Sequence, residues 1–598
     1  MPEYRAPIRE IDFLLKDVFD SDAHYASLSG CEAPPPDLLD AIVHGAAEFA
    51  EQVVSPLFRT GDEEGCSFDS GEVRTPTGFA EAFRLYGEGG WQGLTVPVEE
   101  GGQGLPPSLG LIVSEMTGAG SWAWSMYSGL ALAPVNCLIS AGTKDQKQTY
   151  LPKLLSGDWG GTMCLTESHC GSDVGLVRTR AVLQDDGSYS ITGTKIFVSG
   201  GEQDITDNII HSLLARVEGA PAGTKGLSLF IIPKVLINED GSSGERNAVH
   251  CGSIEHKMGL KGSATCVMNF DGAKGFLLGK ENCGLEVMFE MMNVARVGTA
   301  LQGPALGQVA LQWALEYARE REQMRSLTGA KNPDGAADSI LVHPDVRRML
   351  LTQKALVEGS RALIYWTGQL IDLASFGNEV QRAEASEMLE LLTPIAKAFC
   401  TESVQEVTSL GLQVFGGHGY IADNGIEQLV RDARISTVYE GTTGIQALDL
   451  IGRKVLGSGG RLLRNVTGSI REYCESQADN EAIGEFVKPL AAVNEEWEEL
   501  TKSLTEKAIQ DLDELGASSV DYLMFSGYVA LGYLWTRIAL VASEKLALGE
   551  GDADFYQGKL ATARFYFKRI LPRTRTHANA ALSGAETVMS IPDAGFGA

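Results

Sequence analysis

The hydrophobic pattern of this 598-residue chain changes period twice. Up to about residue 160 it is helical. Leu38, Leu39, Ile42, Val43, Ala46 and Phe49 recur near 3.6-residue spacing across residues 37–54, and Pro56 closes the run. From about 161 to 280 it is strand-like. Residues 182–199 alternate around the turn signal Asp186-Gly187, which predicts a hairpin. Leu227 to Ile232 is a short apolar run ended by Pro233, and Thr265 to Phe270 is another, placed before Asp271-Gly272. Helical spacing returns from Leu285, with Val309, Trp313, Leu315 and Ala318 on one helix and residues 346–371 on another. The pattern predicts an α+β protein: a compact β domain set among helical ones.

A chain this long exceeds one core, so several domains are expected. The boundaries read as 1–160, 161–280, 281–460 and 461–598, the last following the breaker Gly457-Ser458-Gly459-Gly460. Gly101-Gly102-Gln103-Gly104 before Pro106-Pro107 reads as a loop, and so does the polar stretch 326–341. No internal repeat stands out.

The net charge of −29 argues against a nucleic-acid surface, which needs a basic face. The one local exception, Lys568-Arg569 with Arg573 and Arg575, reads as the solvated face of a helix ending at Pro572. Ten scattered cysteines without a C-x-x-C pair suit reduced thiols in a cytoplasmic protein. The nine histidines have no ligand spacing, so no metal is expected. The start at Met1 has no apolar core of a secretory signal. Residues 528–543, interrupted by Arg537, read as a buried helix rather than a membrane span.

The most informative motif is Tyr439-Glu440-Gly441-Thr442-Thr443-Gly444-Ile445-Gln446. Thr443 and Gln446 have capping-box spacing, and Ile445, Leu448, Ile451 and Val455 continue at helical spacing. A helix is expected to start near Thr443, with Glu440 on the turn before it. Such a carboxylate suits a general base, and equally suits an ordinary acid complementing the helix dipole. The helix N-terminus would lower its pKa and desolvation would raise it. Gly118-Ala119-Gly120 fits a loose dinucleotide pattern but lies in helical sequence, and there is no P-loop or G-x-S-x-G elbow.

Arg431-Asp432-Ala433-Arg434-Ile435 followed by Val438-Tyr439-Glu440-Gly441-Thr442 resembles the signature of acyl-CoA dehydrogenases. Four further segments similar to that family occur in its order: Leu165-Thr166-Glu167 to Asp173, Gly193-Thr194-Lys195 to Gly200, Arg319 to Gln323, and Gln413 to Tyr420. The resemblance spans nearly the whole chain. Its length looks most like the long bacterial branch, which includes 3-methylmercaptopropionyl-CoA and fatty acyl-CoA dehydrogenases.

The resemblance implies an N-terminal helical domain, a β-barrel-like domain, a helical bundle bearing the catalytic Glu, and an added C-terminal helical domain. It implies FAD-dependent conversion of an acyl-CoA to the trans-2-enoyl-CoA, with Glu440 removing the α-proton. The backbone N–H of Glu440 would share the thioester oxygen with a flavin hydroxyl. The flavin loop would be Met163, Leu165, Thr166, Gly171 and Ser172, with Ser172 also near the CoA chain; Ser168 stands where the family usually has Pro. Phe197 and Ser199 replace the family's Trp and Thr against the flavin, keeping an aromatic face and a hydroxyl. Arg321 would pair with the pyrophosphate, although Met324-Arg325 replaces the usual Phe-Gly. Gln413, Gly416 and Gly417 would meet the adenosine diphosphate end, and Thr442 and Gly444 the flavin. In the family, Arg321 and Gln413 reach a neighbouring subunit's flavin, which implies at least a homodimer. Asn293, Arg296 and Gly441 would face the substrate. Ala295 occupies the alternative base position found in some members and cannot take a proton, so Glu440 is the candidate base. The family's electron acceptor is an electron-transfer flavoprotein. An acyl-CoA oxidase using oxygen, or a non-catalytic relative acting as a binding protein, remain the other readings.

Overall fold

The computed structural model describes residues 3–597, apart from the side chains of 289–294. It divides into two compact units, Asp40–Ala295 and a second made of Met1–Leu39 with Arg296–Ala598. The helix Gly284–Ala300 carries the chain from the first unit into the second.

In the first unit the helices Pro107–Gly120, Trp122–Ala141 and Lys144–Leu155 precede the main sheet. Two small hairpins stand apart from it, β1 (Ser67–Asp69) with β2 (Glu72–Arg74) ahead of it in sequence and β8 (Val235–Ile237) with β9 (Ser243–Arg246) between two of its strands. The main sheet holds β3 (Trp159–Cys164), β4 (Arg180–Leu183), β5 (Tyr189–Ser199), β6 (Asn208–Val217), β7 (Leu227–Pro233), β10 (Val249–Ile254) and β11 (Thr265–Leu278). The predicted hairpin is β4–β5, antiparallel. Each of the five strands β11, β5, β4, β6 and β7 pairs with the next, and β7 pairs back onto β11, so they close a ring; β3 and β10 are added at its sides. Closure removes most of the unpaired edge and accounts for the barrel-like shape. β11 makes it possible: Thr265–Gly275 pairs with β5 and Phe276–Leu278 with β7. It runs past Asp271-Gly272, where the sequence suggested its end. The register shifts there and Gly272 takes φ +81°, so the turn signal is absorbed as a β-bulge rather than a turn.

Side-chain alternation gives the sheet two apolar faces. Leu213, Phe230 and Ile232 join Ile191, Cys266 and Phe270 on one side. Ile210, Leu214, Leu229 and Ile231 meet Val135, Leu138, Leu151 and Leu154 of the preceding helices on the other.

The second unit is helical. Gln302–Glu320, Pro344–Phe376 and Glu379–Phe415 form its centre, followed by Ile426–Arg434 and Thr443–Leu448. The expected breaker at 457–460 is a run of turns ahead of Arg461–Ser476, Gly484–Gln510, Asp513–Leu548, Ala553–Phe565 and Arg573–Leu582. The helix Asp513–Leu548 has the length and apolar composition of a membrane span, yet 78% of its most apolar window is buried in the protein. Its Gly527 lies so close to Phe399 that an added Cβ would fall 2.1 Å from the ring, and Trp535 Nε1 donates to the Ala355 carbonyl at 3.0 Å. Arg573, expected on a solvated face, instead makes a two-pronged pair with Glu406 at 2.6 and 2.8 Å. The fork matches a carboxylate that amphipathic spacing alone does not reveal. Lys559, fully buried, bonds both Glu10 and Glu358, the latter at 3.0 Å, and so ties residues 1–39 to helices 549 positions further along the chain.

Candidate active site: the Glu440 turn and the loop beside Phe197

The helix Ile426–Arg434 ends in a single 3₁₀ turn, Ile435–Thr437, and the chain then doubles back before Thr443–Leu448. Glu440 sits on that reversal with φ +54°, a left-handed conformation that a Glu side chain rarely takes, and Gly441 follows at +90°. Gly441 has a second constraint, since a Cβ there would lie 2.3 Å from Gln446 Nε2. The following helix is capped one residue earlier than its sequence suggests. Thr442, not Thr443, is the N-cap and accepts from the Ile445 N–H at 3.3 Å. Thr443 Oγ1 donates to Glu402, and Gln446 Nε2 donates to the Glu440 carbonyl at 3.1 Å. The capping box is thus replaced by a cap on Thr442 and a side-chain clamp on Glu440 itself.

Lys397 completes the turn. It lies in the middle of Glu379–Phe415, its exposure is 0%, and its ammonium donates to the carbonyls of Ser436 and Gly441 at 2.8 Å each. The Glu440 carboxylate accepts no hydrogen bond among the described residues. Two cations act on it through space, Lys397 and Arg296. Burial outweighs both and raises the Glu440 pKa above the ordinary carboxylate value. Burial also pulls Lys397 down to about 8 against the attraction of Glu440 and Glu402. Arg296, expected at the substrate, is buried and pairs with Asp449 at 3.3 Å. The side chain of Asn293 lies outside the described residues. Ala295 offers no competing base, and Gly444 has open space beside it.

Arg321 and the 413–417 segment meet at one end of this unit. Arg321 caps Gln302–Glu320, and Gly416 ends Glu379–Phe415 with φ +60°. Tyr317 fastens the two helix ends by stacking on Phe415 at 4.3 Å and bonding His418 Nδ1 at 2.7 Å. Arg321 is exposed with no side-chain partner among the described residues. Gln413 is exposed, and a Cβ at Gly416 or Gly417 would meet nothing. An unpaired guanidinium beside open backbone suits a phosphate-bearing ligand.

In the other unit Phe197 also takes a left-handed conformation, φ +58°, and is 59% exposed. The loop after β3 is pinned next to it. Lys195 Nζ donates to the Leu165 carbonyl and to Glu167 Oε1, both at 2.9 Å, and Ile196 N–H donates to the Thr166 carbonyl at 2.9 Å. Glu167 also accepts from Thr179 Oγ1 at 2.6 Å and from the Arg178 and Thr179 amides at 2.9 Å. Met163, Leu165, Thr166 and Ser199 are half-buried, and Gly171 and Ser172 exposed. The predicted flavin residues Thr166 and Phe197 are therefore on neighbouring, tied-together backbone, with a flat aromatic face open. Glu167, His169 and Cys170 have ligand atoms within 4.8 Å of one another, but both Glu167 oxygens are already committed to protein donors.

Sequence reasoning missed the two lysines. Their signal was there: Lys397 stands alone in the apolar run Thr393–Cys400, and Lys195 in the strand Tyr189–Ser199. A lone charge in an otherwise buried element has to find partners.

Family models describe the chain almost end to end. "Acyl-CoA dehydrogenase, N-terminal domain" matches residues 37–158, the middle domain 162–273 and the C-terminal domain 282–456. "Acetyl-CoA dehydrogenase C-terminal like" matches 466–592. The chain belongs to the acyl-CoA dehydrogenase family. It is 42% identical to 3-methylmercaptopropionyl-CoA dehydrogenase of Ruegeria pomeroyi, over 95% of this chain and 96% of that protein. It is 35% identical to the broad-specificity linear acyl-CoA dehydrogenase FadE5 of Mycobacterium tuberculosis over the full length of both. In fold it is similar to Caenorhabditis elegans ACDH-11 in complex with C11-CoA, with TM-score 0.76, 19% identity, and 98% and 95% of the two chains covered. It is likewise similar to an acyl-CoA dehydrogenase complexed with FAD from Bacillus anthracis, with TM-score 0.74, 20% identity, and 95% and 92% covered.

Proposed function

We propose that this acyl-CoA dehydrogenase uses Glu440 to take the α-proton of an acyl-CoA thioester, giving the trans-2-enoyl-CoA and passing electrons to an electron-transfer flavoprotein. The observation that carries the reading is the state of Glu440. It is a carboxylate held in a strained conformation, raised in pKa by burial and spent on no hydrogen bond among the described residues. A carboxylate whose only purpose is to complement a helix would instead face solvent or the capped amides. A raised pKa makes it a stronger acceptor for a weakly acidic C–H. The amide N–H of Glu440 likewise has no acceptor among the described residues, as a donor to a thioester oxygen requires.

The enzyme's cofactor is FAD, which supplies a hydride acceptor that no side chain offers. The residues present fit it. Phe197 offers a flat apolar face beside the Thr166 backbone, and Arg321 an unpaired guanidinium beside the open Gly416-Gly417 backbone. By similarity to the Ruegeria and Mycobacterium enzymes, the substrate is a 3-methylmercaptopropionyl or linear acyl thioester. A homodimer fits the role proposed for Arg321 and Gln413.

Anaerobic stopped-flow reduction of the FAD by a panel of short, long and sulfur-containing acyl-CoAs tests the reading. Glu440→Gln keeps shape and the backbone donor but accepts no proton. It should stay yellow and bleach at least about 10²–10⁴ times more slowly, the usual worth of a general base. Bleaching within a few-fold of the unmodified protein would place the base elsewhere.

A further inference from the structure

Lys397 is fully buried, and among the described residues its ammonium is not in contact with any carboxylate. Its two hydrogen bonds run to backbone, to the Ser436 carbonyl at one end of the Glu440 reversal and to the Gly441 carbonyl at the other. Those bonds bracket the five residues 437–441, including the left-handed Glu440. Backbone strain of this kind persists only where the surroundings over-determine it. Gln446 holds one further point, the Glu440 carbonyl.

We infer that Lys397 is the positioning residue of this enzyme: by clamping Ser436 and Gly441 it holds the Glu440 turn in its strained form and acts through space on the carboxylate with its positive charge. The inference rests on the reading of Glu440 as base. The groups acting on the pair are few. Glu440 feels Lys397 and Arg296, and Lys397 feels Glu440, Glu402 and Arg296. Arg296 pairs with Asp449, and Glu402 accepts from Thr443 and has no proton to donate to the carbonyls. A lysine in this place does two jobs that a neutral donor cannot combine. It satisfies two carbonyls, and it favours the ionised carboxylate that burial disfavours.

The test is anaerobic flavin reduction over a pH series, with unmodified protein, Lys397→Met, Glu440→Gln and the double variant, all as FAD-loaded enzyme. Reduction requires ionised Glu440, so it rises with pH through the Glu440 titration. In Lys397→Met the limiting rate should fall at least about tenfold and the midpoint of the rise should move up by about one pH unit or more, as loss of a nearby opposite charge demands. The acyl-CoA concentration at half-maximal rate should stay within about threefold, since the lysine acts through the base. Because it acts through Glu440, Lys397→Met should slow Glu440→Gln little further, a failure of additivity. An unchanged rate and pH profile overturn the inference, as does a double variant slowed by the full product of the two effects. If Lys397→Met yields no FAD-loaded protein, Lys397→Gln is read the same way, and failure of both makes the lysine a folding residue and overturns it. Failure of the base reading looks different: Glu440→Gln by itself would then reduce at the unmodified rate.

Discussion

Each unit holds one strained residue next to a fully buried lysine, and the two lysines are neutralised differently. Lys195, two residues before the left-handed Phe197, touches its counter-ion: Glu167 is 2.9 Å away and accepts from Thr179 and two amides besides. Lys397 holds the left-handed Glu440 turn through carbonyls alone and leaves the nearby carboxylate uncommitted. The difference shows in the acids. Glu167 is buried, which would raise its pKa, yet Lys195, Thr179 and the amide donors hold it down at about 2. Glu440, with cations at range and no donors, stays above the ordinary value. A contact ion pair with saturated oxygens makes a fixed loop. A clamp made through backbone leaves a carboxylate able to change its protonation state.

The sharpest way to break this contrast is Lys195→Met. It leaves Glu167 buried and unpaired, which should cost about 3–5 kcal/mol, read by urea unfolding of the first unit. Adding Glu167→Gln should recover part of that loss. A cost under about 1 kcal/mol would mean the pair does not hold the loop.

Acid titration gives the next effect. The pKa of Glu167 in the folded protein lies below its ordinary value near 4.5, so its contribution is complete above that pH and is lost as pH falls toward about 2. The full depression corresponds to about 3 kcal/mol. Burial pulls Lys195 in the unfavourable direction, which reduces the net contribution of the pair without altering the direction of the pH dependence in the acid range. Glu440 has the opposite sign. Its raised pKa costs stability once pH exceeds the ordinary carboxylate value, and Glu440→Gln should therefore be at least as stable as the unmodified protein at neutral pH, measured by thermal melting.

Arg321→Ala removes a charge-assisted contact proposed for the FAD pyrophosphate, worth about 1.5–3 kcal/mol, so FAD affinity should fall at least roughly tenfold by equilibrium titration. Unfolding of the first unit should not change. The smallest effect belongs to Thr442→Ala. Losing an N-cap costs about 1 kcal/mol, and it should appear as a small loss of stability by thermal melting. A larger fall in flavin reduction than in stability would show that the cap also sets the Glu440 turn.

What was legible in the sequence was local. The hairpin around Asp186-Gly187, the apolar strand at Leu227, the breaker at Gly457 and the turn at Glu440 all follow from neighbouring residues. The segments similar to the acyl-CoA dehydrogenase family point to the Glu440 turn and to the loop beside Phe197. What stayed hidden depended on distant partners. Thr443 has capping spacing, but Glu402, 41 residues away, takes its hydroxyl. Asp271-Gly272 has turn composition, but β5 and β7 hold the strand through it. Lys397 pairs with carbonyls 39 and 44 positions on, which no periodicity encodes.

The bond from Glu10 to Lys559 also fixes a timetable. The first unit, Asp40–Ala295, lies contiguously in the chain and can fold as soon as it leaves the ribosome. Residues 1–39 emerge before it but belong to the unit completed last, and Glu10 meets Lys559 only after another 549 residues are made. At roughly 5–20 residues per second that wait is on the order of half a minute to two minutes. Throughout it Ile11, Phe13, Leu14 and Leu15, all buried in the finished protein, have no core to enter. During synthesis this apolar segment therefore waits unburied for its partner helices, in the state that chaperones hold.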